Sequence, residues 1–240
     1  MSGPLLEVRA LTKRFGGFTA LREVSLDIRA GERIGILGPN GSGKSTLVNC
    51  ITGLLRTDSG DVLMDGESLS GAPAHVRTRR GIARTFQIPK PFNSISVAEN
   101  IRVPLDYVRG SDNATDHFEQ ASRLLSLVGL DHQASGFPST LTQVELRKLE
   151  LAKAIASQPK LLIADEALAG LSTAEVDEIL GLLFKLNDQG IAIVMIEHIM
   201  RAVTKFSQRV IVLVAGQKIA DGLTKEVMRD PKVEQAYLGE

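Results

Sequence analysis

The sequence has no tryptophan, only two tyrosines and a single cysteine, and aromatic side chains make up 4% of it. One cysteine excludes an intrachain disulfide and fits a reducing compartment. That cysteine, Cys50, falls on the expected inner face of a helix, where packing rather than reactivity is its predicted role. No apolar run approaches the ~18 residues that a bilayer span requires. The first residues carry no basic-then-apolar targeting pattern. An excess of charge of either sign is also missing: 28 Lys and Arg balance 28 Asp and Glu. No overall field therefore favours nucleic acid or an anionic membrane. Neither low-complexity tracts nor internal repeats are visible. These absences predict a cytoplasmic chain that serves a membrane process, if any, by docking onto an integral partner.

What remains is ordinary globular composition, 240 residues with 43% hydrophobic and 23% charged. That length accommodates one domain with an inserted lobe, or two small domains. The stretch that organises it is Gly38-Pro39-Asn40-Gly41-Ser42-Gly43-Lys44-Ser45-Thr46. It follows an apolar run, residues 34–37, and precedes an amphipathic one, residues 47–51. Strand, glycine-rich loop and helix are the context of a phosphate-binding loop. Glycines permit positive φ and close approach of backbone to an anion. Successive N–H groups then converge at the positive end of a helix dipole. Lys44 adds a full charge that can reach β- and γ-phosphates, and the Ser45 hydroxyl can ligate Mg²⁺. An ordinary Gly-rich turn is the alternative.

Around this loop the pattern alternates between two periods. Residues 5–15 and 21–28 read as strands of an antiparallel sheet beside the core, joined at Gly16-Gly17. Residues 59–66 read as a short hairpin strand, and residues 82–86 as another, ending before Gln87. From residue 96 to about 158 the spacing turns to three and four, a helical insertion. Residues 161–164 and 191–196 are continuous apolar runs, as buried parallel strands should be. Residues 173–186 form a helix that Thr173 can cap. Residues 210–214 and 217–220 form a hairpin through Ala215-Gly216, followed by short helices.

Chemistry-bearing residues follow the predicted parallel strands, and ligands of such sheets sit outside the carboxyl ends of those strands. Asp165 can hold Mg²⁺ near Ser45, and Glu166 can orient and deprotonate an attacking water. The alternative for this pair is an acidic turn that caps the next segment. Gln87 can contact Mg²⁺ or that water, or be a surface amide. His198 can hydrogen-bond a γ-phosphate, or be structural. Phe15, before a flexible turn, can offer its ring to an adenine or belong to the core; Phe18 is its main competitor.

Together these residues resemble the nucleotide-binding subunits of ATP-binding cassette (ABC) transporters, over essentially the whole chain. The resemblance makes residues 38–45 the Walker A loop, residues 161–165 Walker B, Glu166 the catalytic glutamate and Gln87 the Q-loop glutamine. His198 is then the switch histidine and Phe15 the adenine-stacking aromatic. It implies an α/β fold: a P-loop NTPase core with an antiparallel β subdomain, built from residues 1–95 and 159–240, and an inserted α-helical subdomain, residues 96–158. It also implies Mg²⁺-dependent ATP hydrolysis. The expected partners are a second cassette in a head-to-tail dimer, integral permease subunits on the inner membrane face and, indirectly, a solute-binding protein. Lys13-Arg14-Phe15-Gly16-Gly17, Arg84-Thr85-Phe86-Gln87, Ala169-Gly170-Leu171, Ile196-Glu197-His198 and the tail from Asp230 to Glu240 look like the branched-chain amino acid importer type. Importers of urea or amides share such stretches.

The chain departs from that pattern at the signature loop, normally Leu-Ser-Gly-Gly-Gln, which here reads Leu141-Thr142-Gln143-Val144-Glu145. The glycines are gone, and Glu145 adds negative charge where the family approaches phosphate. Ala167 replaces a proline, Leu171-Ser172 lacks the usual aspartate, and Ile199 follows the histidine. The resemblance then implies a sound ATP site on this chain's own loop and an impaired one on its signature face, which favours a different chain as partner. Two other readings are a soluble ABC-type ATPase of repair or translation, and a nucleotide-dependent scaffold with little turnover.

Overall fold

A computed structural model describes residues 3–109 and 114–238. Gly239 and Glu240, the end of the tail resemblance, lie outside the described residues. In chain order, β1 (Leu6–Phe15) and β2 (Phe18–Ile28) form a hairpin, with Phe15 paired to Phe18. β3 (Arg33–Leu37) leads into α1 (Lys44–Ile51). Then come β4 (Ser59–Met64), β5 (Glu67–Ser68), α2 (Ala74–Arg79) and β6 (Ile82–Thr85). Three helices follow: α3 (Val97–Arg109), α4 (Ala114–Val128) and α5 (Gln143–Ala156). The strands resume with β7 (Leu161–Asp165), α6 (Thr173–Asp188), β8 (Ala192–Ile196) and α7 (Met200–Phe206). The chain ends in β9 (Arg209–Val214), β10 (Gln217–Leu223), α8 (Thr224–Val227) and α9 (Pro231–Leu238).

The strands make two sheets, a four-stranded one ordered β2-β1-β4-β5 and a six-stranded one ordered β10-β9-β3-β8-β7-β6. The first is antiparallel throughout. In the second, β6, β7, β8, β3 and β9 run parallel, and β10 turns back on β9. Apolar runs without alternation produced this sheet because both its faces are covered. On β8, Ile193 and Met195 enter a cluster with α5, α6 and α7, whereas Val194 and Ile196 enter one with α1 and the antiparallel sheet. Side chains two residues apart share a face, so one strand feeds two cores. The order of layers is helices, parallel sheet, then α1 with the antiparallel sheet. Cys50 is fully buried in the second cluster, and burial pushes its thiol up to about 11.

Local signals fix two helix starts, and one corrects an expectation. The cap of α6 is Ser172, not Thr173: its side chain accepts from the Glu175 N–H while Glu175 returns to the Ser172 backbone. Thr173 is the first helical residue. Within the helical insertion expected from residue 96 to about 158, α5 begins at Gln143, because Thr142 and Glu145 form the same reciprocal box. No helix among the described residues is long and apolar enough to cross a membrane.

Candidate functional site

Parallel strands point their carboxyl ends the same way, and this brings separate segments to one edge. β3 delivers the loop at 38–43, β6 delivers Gln87, β7 delivers Glu166 and β8 delivers His198. The antiparallel sheet closes one side. Arg22 N–H donates to the Gly216 carbonyl at 2.8 Å, and Gly216 N–H donates to the Ser42 carbonyl at 3.0 Å. The result is a groove of about 290 Å³ that contains Phe15, Phe18, Lys44, Ser45, Glu166 and His198 on its walls.

The loop is shaped for an anion. At Gly38, φ is +153° and an added Cβ would fall 2.1 Å from the Leu213 carbonyl oxygen. At Gly43, φ is +103° and a Cβ would meet the Ala20 carbonyl at 2.7 Å. Only glycine fits either position. Gly43 also starts α1 without a side-chain cap, so the first N–H groups of that helix remain available to a ligand. Ser42 Oγ is buried without a partner. Lys44 Nζ donates to the Gly38 carbonyl at 2.7 Å and to the Pro39 carbonyl at 3.0 Å. Burial lowers the Lys44 ammonium, while the fields of Glu166 and Asp165 work the other way. Uncapped N–H groups, an orphan hydroxyl and a lysine suit a polyphosphate.

The acid side of the groove is equally ordered. Glu166 sits at φ +47°, unusual for a non-glycine, and its N–H donates to the Ile196 carbonyl at 2.9 Å. Gln87 Nε2 donates to Glu166 Oε2, and His198 Nε2 lies 3.5 Å from Glu166 Oε1. Three residues from three strands thus share one carboxylate. Asp165 is buried, with its Oδ2 accepting from Arg84 at 2.5 Å. Its donor type and that of Ser45, hard oxygens, suit Mg²⁺ completed by phosphate and water. Phe15 and Phe18 both line the groove, and both rings are largely exposed.

Sequence reasoning missed three residues of this neighbourhood. Arg84 bridges Asp165 and Asn49 of α1. Arg147 of α5 donates to the Phe86, Gln87 and Ala169 carbonyls, and so ties the segment after β6 to the one after Glu166. Glu197 is buried and accepts the Leu168 N–H at 2.8 Å. A cation or acid inside an otherwise apolar helix or strand was the available signal.

The ABC transporter family matches residues 21–169. The chain belongs to that family. The cassette is 34% identical to the high-affinity branched-chain amino acid transport ATP-binding protein BraF of Pseudomonas aeruginosa, over the whole of both chains. A crystal structure of a nucleotide-free ATP-binding cassette from an ABC transporter superposes with a TM-score of 0.88 at 29% identity. That match covers 99% of this chain and all of the other. A dimeric, post-hydrolysis cassette bound to ADP and Pi gives 0.81 at 28%, covering 91% and 98%. The cassette is therefore an ATP-binding, ATP-hydrolysing enzyme coupled to transport.

Two further regions of the cassette bear on its function. The first is the segment from Gln87 to Phe92. Asn100, fully buried on α3, accepts from Phe92 N–H at 2.7 Å and donates back to the Phe92 carbonyl at 3.0 Å. Lys153 of α5 donates to the Lys90 carbonyl at 2.6 Å. This segment borders a second groove of about 350 Å³, walled by Leu54, Phe86, Phe92, Val103 and Tyr107. Ile88, in the same segment, is 73% exposed. The second region is the altered signature. Glu145 is not a loose charge: its carboxylate accepts from Thr142 N–H at 2.8 Å and from Thr142 Oγ1 at 2.9 Å, and lies 3.2 Å from His132 Nε2. These bonds hold its acid below the usual range.

Proposed function

We propose that the cassette powers import of branched-chain or other amino acids, within a complex of permease subunits and a second, different cassette. The observation that carries this reading is the convergence of Lys44, Glu166 and His198 on one groove at the open end of α1, with Gln87 bonded to Glu166. The names of full-length relatives supply the solute class. Backbone N–H groups of Gly41, Ser42 and Gly43, with Asn40, Thr46 and the Lys44 ammonium, bind the phosphates of ATP. Gly38 and Pro39 shape the loop, and Phe15 stacks on the adenine. Ser45, Asp165 and Gln87 hold Mg²⁺, which when bound neutralises charge on the phosphates. Glu166 orients the attacking water and takes its proton, and His198 supports the γ-phosphate. Little covalent chemistry falls to the protein; positioning and charge stabilisation do most of the work.

The permease docks where Ile88 and Phe92 are exposed. Arg147, Asn100 and Lys153 brace that segment against the helices of residues 96–158, which we read as a subdomain that moves with it. The peripheral placement on the inner membrane face follows from that docking. The altered stretch 141–145 supports an unlike partner. Gln143 and Val144 put side chains where the family has glycines, and Glu145 stays ionised within its capping box. A phosphate of the opposite subunit would meet a filled, negatively charged helix start. The resulting dimer has one sound site and one impaired site.

Steady-state hydrolysis tests the reading. The expected result is slow turnover alone, stimulation by the permease and an unlike cassette, and a loss of about 10²–10⁴-fold for Glu166→Gln in that complex. Binding of ATP by Glu166→Gln should persist. An equally active homodimer would overturn the asymmetric arrangement. The second reading, a cassette that binds ATP with little turnover, draws on the same stretch 141–145. It predicts no stimulation by any partner. Uptake by vesicles carrying the full complex separates amino acids from urea and amides.

A further inference from the structure

Asp165 already has a cation. Arg84 Nη2 donates to its Oδ2 at 2.5 Å, and the two side chains are 14% and 7% exposed. The other arm, Nη1, donates to Asn49 Oδ1 of α1 at 2.6 Å, and the guanidinium stands over the Phe86 ring at 5.6 Å. A planar fork held at two acceptors and against a ring is fixed in place, unlike a surface lysine. Arg84 Nε is buried without a bond, so the guanidinium has been drawn inward for these contacts and not for a full set of its own.

We infer that Arg84 is the resident counter-ion of Asp165, and that it keeps this acid from taking a divalent cation until a nucleotide is present. The inference rests on the reading of Asp165 as a Mg²⁺-bearing residue. A fixed positive charge on the same carboxylate repels a divalent ion, and in a partly buried site that repulsion is poorly screened. Without nucleotide, the Asp165 carboxylate is therefore already neutralised by Arg84. A bound triphosphate would add negative charge beside this pair, and a divalent cation held by Asp165 would then be favoured. Binding becomes ordered, nucleotide before metal. Because Arg84 lies on β6, three residues before Gln87, the same strand carries the counter-ion and the start of the docking segment.

The test is Mn²⁺ binding to the whole chain without nucleotide, followed by electron paramagnetic resonance. Arg84→Gln is expected to bind Mn²⁺ at least about tenfold more tightly than the wild-type chain. Arg84→Lys, which keeps the charge, should stay near wild type. Unchanged or weaker Mn²⁺ binding in Arg84→Gln overturns the inference, as does equal tightening in Arg84→Lys. Should Arg84→Gln fail to fold, the pair itself is read by thermal unfolding. The double variant Arg84→Gln/Asp165→Asn is then expected to melt above Asp165→Asn, since it leaves no unpaired buried charge; a lower melting point overturns the inference. Cation-free ATP binding, expected in Arg84→Gln and Arg84→Lys, separates failure of the counter-ion from failure of the nucleotide reading.

Discussion

Glu197 carries the pH behaviour of the site. It is 3% exposed, and burial, with Glu166 nearby, pushes its acid from 4.5 up to about 7, against the Leu168 N–H and Arg147, which pull it down. The folded chain therefore keeps a proton that the unfolded chain has released across that window. Stability contributed through this group falls as pH rises from about 4.5 to about 7, by up to ~3 kcal/mol. Glu197→Gln keeps the carbonyl that accepts from Leu168 but cannot ionise. Its melting temperature is expected to rise relative to wild type between about pH 5 and about pH 8. A difference between the two proteins that does not change with pH would show that the carboxylate ionises without a burial penalty. At the same scale, Gly38 tolerates no side chain. Gly38→Ala meets the Leu213 carbonyl and is expected to abolish ATP binding, measured by titration with a fluorescent nucleotide.

At the scale of elements, helix starts decide where functional segments end. α5 and α6 each open with a reciprocal box, Thr142 with Glu145 and Ser172 with Glu175. Removing either hydroxyl leaves an N–H without its partner. Thr142→Ala and Ser172→Ala are each expected to cost about 1 kcal/mol, roughly a 2–4 °C fall in melting temperature for a chain of this size. Thr173→Ala, one residue on, should change stability by less than about 0.5 kcal/mol. Equal losses at 172 and 173 would assign the cap wrongly. The box on α5 also explains why the altered signature persists as an ordered helix start: its threonine and glutamate satisfy each other.

At the scale of the whole molecule, the nucleotide groove and the exposed segment proposed to dock the permease are joined through Gln87. Gln87 reaches Glu166 at one end, and Ile88 and Phe92 stand exposed at the other. Ile88→Asp places a charge where a permease would bury an apolar side chain. It is expected to reduce permease stimulation of hydrolysis at least about tenfold, the effect of losing one well-packed anchor. The affinity of the isolated cassette for ATP should change less than about twofold. A matching loss in both measurements would mean that the segment supports the groove and not the partner.

The glycine-rich loop, the succession of strands along the chain and the placing of Gln87, Asp165, Glu166 and His198 at or just after strand ends were legible in the chain because each rests on local chemistry. A glycine at positive φ, an apolar run or a strand-end acid declares itself within a few residues. Amphipathic spacing likewise announced the helices between 96 and 158, though not where they start. The sequence by itself determined which groups could meet a phosphate. Only the tertiary structure decided that Arg84 would face Asp165, that Arg147 would hold the Gln87 backbone, and that Glu197 would be sealed beneath Leu168. Those pairings join residues about 30 to 80 positions apart, and no local rule predicts them: partners at that range are chosen by sheet order and by the need to satisfy every buried charge.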